Sequence, residues 1–186
     1  DGSAGNTATL VSKPLSYDGP NPNFVPNDPM FSDQWHYDNS GQTSGTIDAD
    51  IDLPEAWNTQ MGSEQVIVAI IDGGIDVAHE DLQANMWVNL IEENGSPGVD
   101  DDGNGFIDDI HGYNFAENQG SISAHDHGTH VGGTVAAVSN NGIGVAGVAG
   151  GSGTGDGARL MSVQVFSNFG AGGFAESFAY AADNGA

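Results

Sequence analysis

In the middle of the chain, Gln65-Val66-Ile67-Val68-Ala69-Ile70-Ile71-Asp72 is an unbroken, mostly β-branched apolar run. A strand with one solvent face would alternate apolar and polar positions, so this run predicts a strand covered on both faces, as in a parallel sheet between helices. It stops at Asp72-Gly73-Gly74, a turn. Leu160-Met161-Ser162-Val163-Gln164-Val165-Phe166 predicts a second strand. Between the two, the small and apolar residues from Gly128 to Val138 suit a closely packed helix, and the Ala-rich stretch Phe174 to Asp183 predicts another. Leu53-Pro54-Glu55-Ala56-Trp57 follows Asp48, Asp50 and Asp52, which fits a short helix with acidic groups at its positive end. Asn85 to Ala124 is polar and loop-rich, and residues 1–24 are polar, broken by Gly and Pro, and without apolar period; they are expected to be an extension or propeptide remnant. Strands alternating with helices predict an α/β domain with a mainly parallel sheet.

Composition narrows the function classes. At 186 residues and 38% hydrophobic, one domain with a real core is expected. The 26 acidic against 2 basic residues give a formal charge of -24, which repels phosphate backbones and anionic surfaces. Nucleic-acid binding is thereby excluded, while bound divalent cations or a salt-tolerant surface are favoured. There is no cysteine, so disulfides and thiolate chemistry are excluded. No apolar run reaches membrane-spanning length, so no membrane partner is expected. The start at Asp1 without Met or leader is read as a processed or truncated one.

Asp72 stands where a buried parallel strand ends, the place where ligands and catalytic groups gather in open α/β sheets. Alone it would read as a turn residue before two glycines. In His125-Asp126-His127-Gly128-Thr129-His130-Val131-Gly132-Gly133, His127 falls at the start of the predicted helix, where an imidazole suits general-base work. His125, His127 and His130 also allow a metal cluster, since closely spaced histidines are common zinc ligands.

Together these segments resemble the subtilisin-like serine peptidases, the subtilases, with thermitase-like members as the nearest type. Ile70-Ile71-Asp72-Gly73-Gly74-Ile75-Asp76, followed by His79-Glu80-Asp81-Leu82, is similar to the family's Asp motif, and His127-Gly128-Thr129-His130-Val131 to its His motif. Gly73 stands where Ser or Thr is usual, and Gly132 where Ala is common. The resemblance spans Pro26 to Ala186 and implies residues 25–186 of a secreted endopeptidase's three-layer α/β domain with a central, mainly parallel sheet, incomplete in this chain. Asp72 would orient the imidazole and stabilise its charged form, while His127 would take a proton from a Ser hydroxyl. His130 would be structural. The Gly-Thr-Ser nucleophile segment and the oxyanion-hole Asn are not in this sequence, so the chain alone is expected not to hydrolyse peptides. Phe166 to Phe174 matches the family strand that pairs with extended substrate, and Gly170, Ala171 and Gly172 would offer backbone hydrogen bonds.

Asp100-Asp101-Asp102-Gly103-Asn104-Gly105-Phe106-Ile107-Asp108-Asp109 places Asp100, Asp102 and Asn104 at alternating positions, then a Gly and the backbone carbonyl of Phe106. That is the first part of an EF-hand-type loop, which wraps one hard cation, here Ca2+. His111 stands where the bidentate Glu belongs, so Asp108 or Asp109 is expected to complete the shell. The family resemblance alone implies a second calcium site: side chains of Asp28, Asp81 and Asn141 with carbonyls of Val138, Ile143 and Val145.

The expected function is therefore an Asp-His-Ser endopeptidase acting on proteins or peptides, with the Ser supplied by a C-terminal fragment of the same precursor. Its rivals are a catalytically incomplete calcium-binding fragment and a metal-dependent hydrolase built on the histidine cluster.

Overall fold

The computed structural model describes residues 24–186. The predicted extension therefore lies outside the described residues except for Phe24, whose ring meets Trp57 edge-on at 6.0 Å.

Two strands form where the apolar runs predict them. β1 (Ile67–Asp72) and β3 (Arg159–Gln164) pair in parallel, Ile67 opposite Arg159 and Asp72 opposite Gln164. A third, β2 (Gly112–Asn114), lies parallel on the far side of β3, giving the order β1-β3-β2. This strand falls within the stretch read as loop, because three residues with Gly and Asn show no period. Its placement depends on Gly112: a Cβ there would lie 2.0 Å from the Ser162 carbonyl oxygen, so only glycine permits the approach.

Helices cover both faces, as the double-sided apolar runs require. Val68, Ile70 and Leu160 point to one layer, where they pack with Val131, Val135 and Ala136 of α3 (Asp126–Ala136). The alternate residues Ile67, Ala69, Ile71, Met161 and Val163 meet Tyr180 and Ala181 of α4 (Phe174–Asp183) on the other face. The expected three-layer arrangement follows from this alternation. A smaller cluster joins Phe31 and Tyr37 to Leu53 and Trp57 of α1 (Leu53–Trp57). A short helix, α2 (Leu90–Glu93), interrupts the polar stretch, and β4 (Phe166–Ser167) and β5 (Gly170–Ala171) form a small antiparallel hairpin before α4.

Among the described residues the outer edge of β1 has no strand beside it, and five of its six residues are only partly buried. Arg159, the one Lys or Arg among those residues, donates to the carbonyls of Ala84 and Gly155 and to the Glu64 carboxylate.

Candidate active site and acidic centres

The last residue of β1 and the first turn of α3 meet at one point. His127 Nδ1 lies 2.7 Å from Asp72 Oδ2 and 2.9 Å from Oδ1. A carboxylate accepts only, so Nδ1 carries the hydrogen and Nε2 is left as the basic nitrogen. The Asp72 side chain is 16% exposed and that of His127 69%, so an anchored carboxylate holds a reachable imidazole. Burial alone would raise the Asp72 pKa. The Gly73 N–H, 2.6 Å from Oδ1, with the hydrogen bond from His127 and the electrostatic attraction of His127 and His125, outweighs it and holds the carboxyl below its usual value. Such a pair can orient an imidazole, accept a proton at Nε2 and stabilise the resulting cation.

The histidines do not converge on a metal. His127 Nδ1 faces Asp72, and His125 Nδ1 accepts from the His127 backbone N–H at 3.2 Å. His130 lies a turn further on, its carbonyl accepting from Thr134 Oγ1. The metal-hydrolase alternative loses its site.

The substrate segment departs from the expected open strand. Gly170 and Ala171 fold back to pair with Ser167 and Phe166, and the Gly172 N–H donates to the Val165 carbonyl at 3.0 Å. Gly172 therefore cannot offer that N–H to a ligand, whereas Gly170 and Ala171 remain exposed. The cause is the two-residue turn at Asn168 and Phe169, tightened by the Phe169 N–H donating to Ser167 Oγ.

The acidic loop gathers around different partners from those its spacing implies. Carboxylate oxygens of Glu92, Asp102 and Asp109 lie within 4.8 Å of one another, a grouping able to hold a cation. Asn89 Nδ2 bridges Asp102 and Asp109 at 2.8 and 2.9 Å, and Asn104 Nδ2 bridges the same two at 3.1 and 3.0 Å. Tyr180 donates its hydroxyl to Asp109 Oδ2 at 2.7 Å from α4. Of the two residues expected to complete a shell, Asp109 lies in this grouping and Asp108 does not, its carboxylate accepting from the Gly98 N–H instead. Asp100 accepts from the N–H groups of Asn104 and Gly105, and Phe106 sends its ring to Tyr113 and Tyr180. Glu92 was missed because it sits on α2, outside the loop; Asn89-x-x-Glu92 reads only as a helix start. Burial raises the Asp109 pKa, opposed by hydrogen bonds from Tyr180, Asn104 and Asn89 and reinforced by the Asp102 charge.

At the second acidic place, Asp28 and Asp81 are both buried. Asp81 accepts from Asn141 Nδ2 at 2.8 Å and from the Val145 N–H at 3.0 Å, while the Val138 N–H donates to its carbonyl. Asn141 Oδ1 accepts from the Ile143 N–H. Asp28 Oδ2 accepts from the Asn140 N–H, but Oδ1 is buried without a partner. Burial raises the Asp28 pKa, and the charge of Asp81 adds to it against the N–H groups of Asn140 and Asn141. An orphaned buried carboxylate oxygen beside a second carboxylate fits a cation.

Comparison with known proteins gives the family. The model of the subtilase family matches residues 63–184, and the chain belongs to that family. It is 50% identical over 104 residues to Subtilisin-like protease 1 of Plasmodium falciparum (isolate 3D7), covering 53% of this chain and 15% of that protein. It is 33% identical over 161 residues to the Extracellular basic protease of Dichelobacter nodosus, covering 80% of this chain and 24% of that protein. In the crystal structure of the Aeromonas sobria serine protease with its chaperone, the match has a TM-score of 0.59 at 26% identity, over 85% of this chain and 23% of that one. The chain thus spans under a quarter of the length of these relatives.

Proposed function

We propose that this chain is the Asp-His half of a secreted, calcium-stabilised serine endopeptidase that cleaves proteins through an acyl-enzyme. The observation that carries the reading is the pairing of His127 Nδ1 with the Asp72 carboxylate at 2.7 and 2.9 Å. His127 Nε2 takes the proton from a serine hydroxyl as it attacks the scissile carbonyl, then gives it to the departing amine; water repeats the cycle to free the acyl group. Asp72 stays ionised and holds the imidazole throughout. The serine and the oxyanion donors come from residues outside this sequence, on the same precursor or on a complementary fragment. The edge of β1 that is open among the described residues supports that reading, since an apolar edge invites another strand. Exposed Gly170 and Ala171 supply backbone groups to an extended substrate.

Calcium is the cation proposed for both acidic places. Glu92, Asp102, Asp109 and Asn104 would hold one ion, with Asp100 and the Phe106 carbonyl as further ligands. Asp28, Asp81 and Asn141, with carbonyls of Val138, Ile143 and Val145, would hold the other. A bound ion neutralises carboxylates that otherwise repel, and so adds to folding stability. The extracellular name of the Dichelobacter relative supports secretion. Among the described residues no helix is long and apolar enough to cross a membrane.

The test is labelling of the full-length protein with a fluorophosphonate probe. One labelled serine is expected in the wild type and far slower labelling in His127→Ala; equal labelling of both would refute the reading.

A further inference from the structure

Gly73 is not among the glycines with positive φ, so neither its backbone conformation nor the catalytic role accounts for a glycine there. The structure supplies the reason. A Cβ built on Gly73 would stand 2.9 Å from Cγ and 3.0 Å from Nδ1 of His125, closer than a side chain tolerates. The imidazole of His125 fills the space that a serine or threonine would occupy. From there its Nδ1 accepts the His127 backbone N–H at 3.2 Å, capping the first turn of α3, with His125 itself in extended conformation at φ -136 and ψ 133. Histidine is not among the preferred capping residues, which are Asn, Asp, Ser and Thr. Its length is what lets one ring both cap α3 and lie over the backbone of Gly73. That backbone in turn donates its N–H to Asp72 Oδ1 at 2.6 Å.

We propose that His125 is a positioning residue for the catalytic pair, and that Gly73 is its matched partner. Resting on the peptidase reading above, the inference adds a third residue to the site. The ring of His125 bridges the segment that aims Asp72 and the segment that aims His127. No proton transfer is assigned to it. Gly73 and His125 are therefore interdependent: a side chain at position 73 displaces the ring, and the cap on His127 goes with it.

A double-variant cycle on the full-length protein tests this. Gly73→Ser is expected to lower kcat/KM on a peptide substrate about tenfold, chiefly through kcat, because a small misplacement of reacting groups is costly. His125→Ala, which removes the cap, is expected to lower kcat about tenfold as well, whereas His125→Asn restores a capping oxygen on a smaller side chain and is expected to bring kcat back to within about threefold of wild type. The double variant is expected to recover to within about threefold of wild type, since the shorter cap leaves room for serine. Multiplying losses in the double variant, or a silent Gly73→Ser, would overturn the proposal. The His127 backbone amide gives a second readout by NMR: its protection from hydrogen exchange should fall in Gly73→Ser and His125→Ala and return in the double variant Gly73→Ser with His125→Asn. Amides of α4 report whether each variant is folded. If the full-length protein cleaves nothing, the peptidase reading fails, while the His127 amide still decides whether Gly73 and His125 are coupled.

Discussion

Asp72 loses solvation yet keeps its charge, because one backbone N–H and one imidazole replace the lost water. Its contribution to stability is present above the ordinary carboxylate pKa and is lost only as pH falls through the lowered value. Asp72→Asn is expected to cost roughly 10⁴-fold in kcat, the size such a change has in other serine-peptidase triads, read with a peptide ester or amide at constant pH. Tyr37 gives a second pH effect, of opposite sense. Buried at 1% exposure with its hydroxyl on the Thr134 carbonyl, it has its pKa pushed up to about 12 by burial. The unfolded chain ionises near pH 10, so this group's stabilisation is full below that and fades as pH rises towards 12. The loss is about 2–3 kcal/mol. Urea unfolding of Tyr37→Phe should show a shallower fall in stability over that interval.

At the scale of elements, the acidic loop, α2 and α4 behave as one unit through Glu92, Asn89 and Tyr180. Chelation is expected to lower the melting temperature by several degrees, and Glu92→Gln to weaken calcium binding at least tenfold by titration calorimetry, with Asp108→Asn having the smaller effect. That ranking reverses what spacing alone suggests. The sequence made β1, β3, α3 and α4 legible because each buries a run of side chains long enough to show its period. Asp72 at a strand end and His127 at a helix start became legible as a pair only through the two motifs that resemble the subtilases, since Asp72 alone reads as a turn residue. Glu92 and β2 were not, since both depend on contacts made only after folding: Glu92 with the N–H groups of Asp101, Asp102 and Asp108, β2 with the close approach of Gly112 to Ser162. The back-folding of Gly172 onto Val165 was hidden for the same reason.

For the molecule as a whole, the sheet is lopsided. Among the described residues β3 is flanked on both sides while β1 has one neighbour, so the β1 groups facing outward should exchange with deuterium early in this chain. In the full-length protein the same amides are expected to be protected by at least a hundredfold, measured by exchange with mass-spectrometric readout. Unchanged rates would mean that no further strand docks there.

Arg159 is held by two carbonyls and a carboxylate at the start of β3, and no other Lys or Arg lies among residues 24–186. The positive half of the charge balance therefore falls to cations, bound or dissolved, rather than to side chains. For such a molecule low ionic strength is expected to weaken folding, and a melting curve taken before and after desalting at fixed calcium checks it.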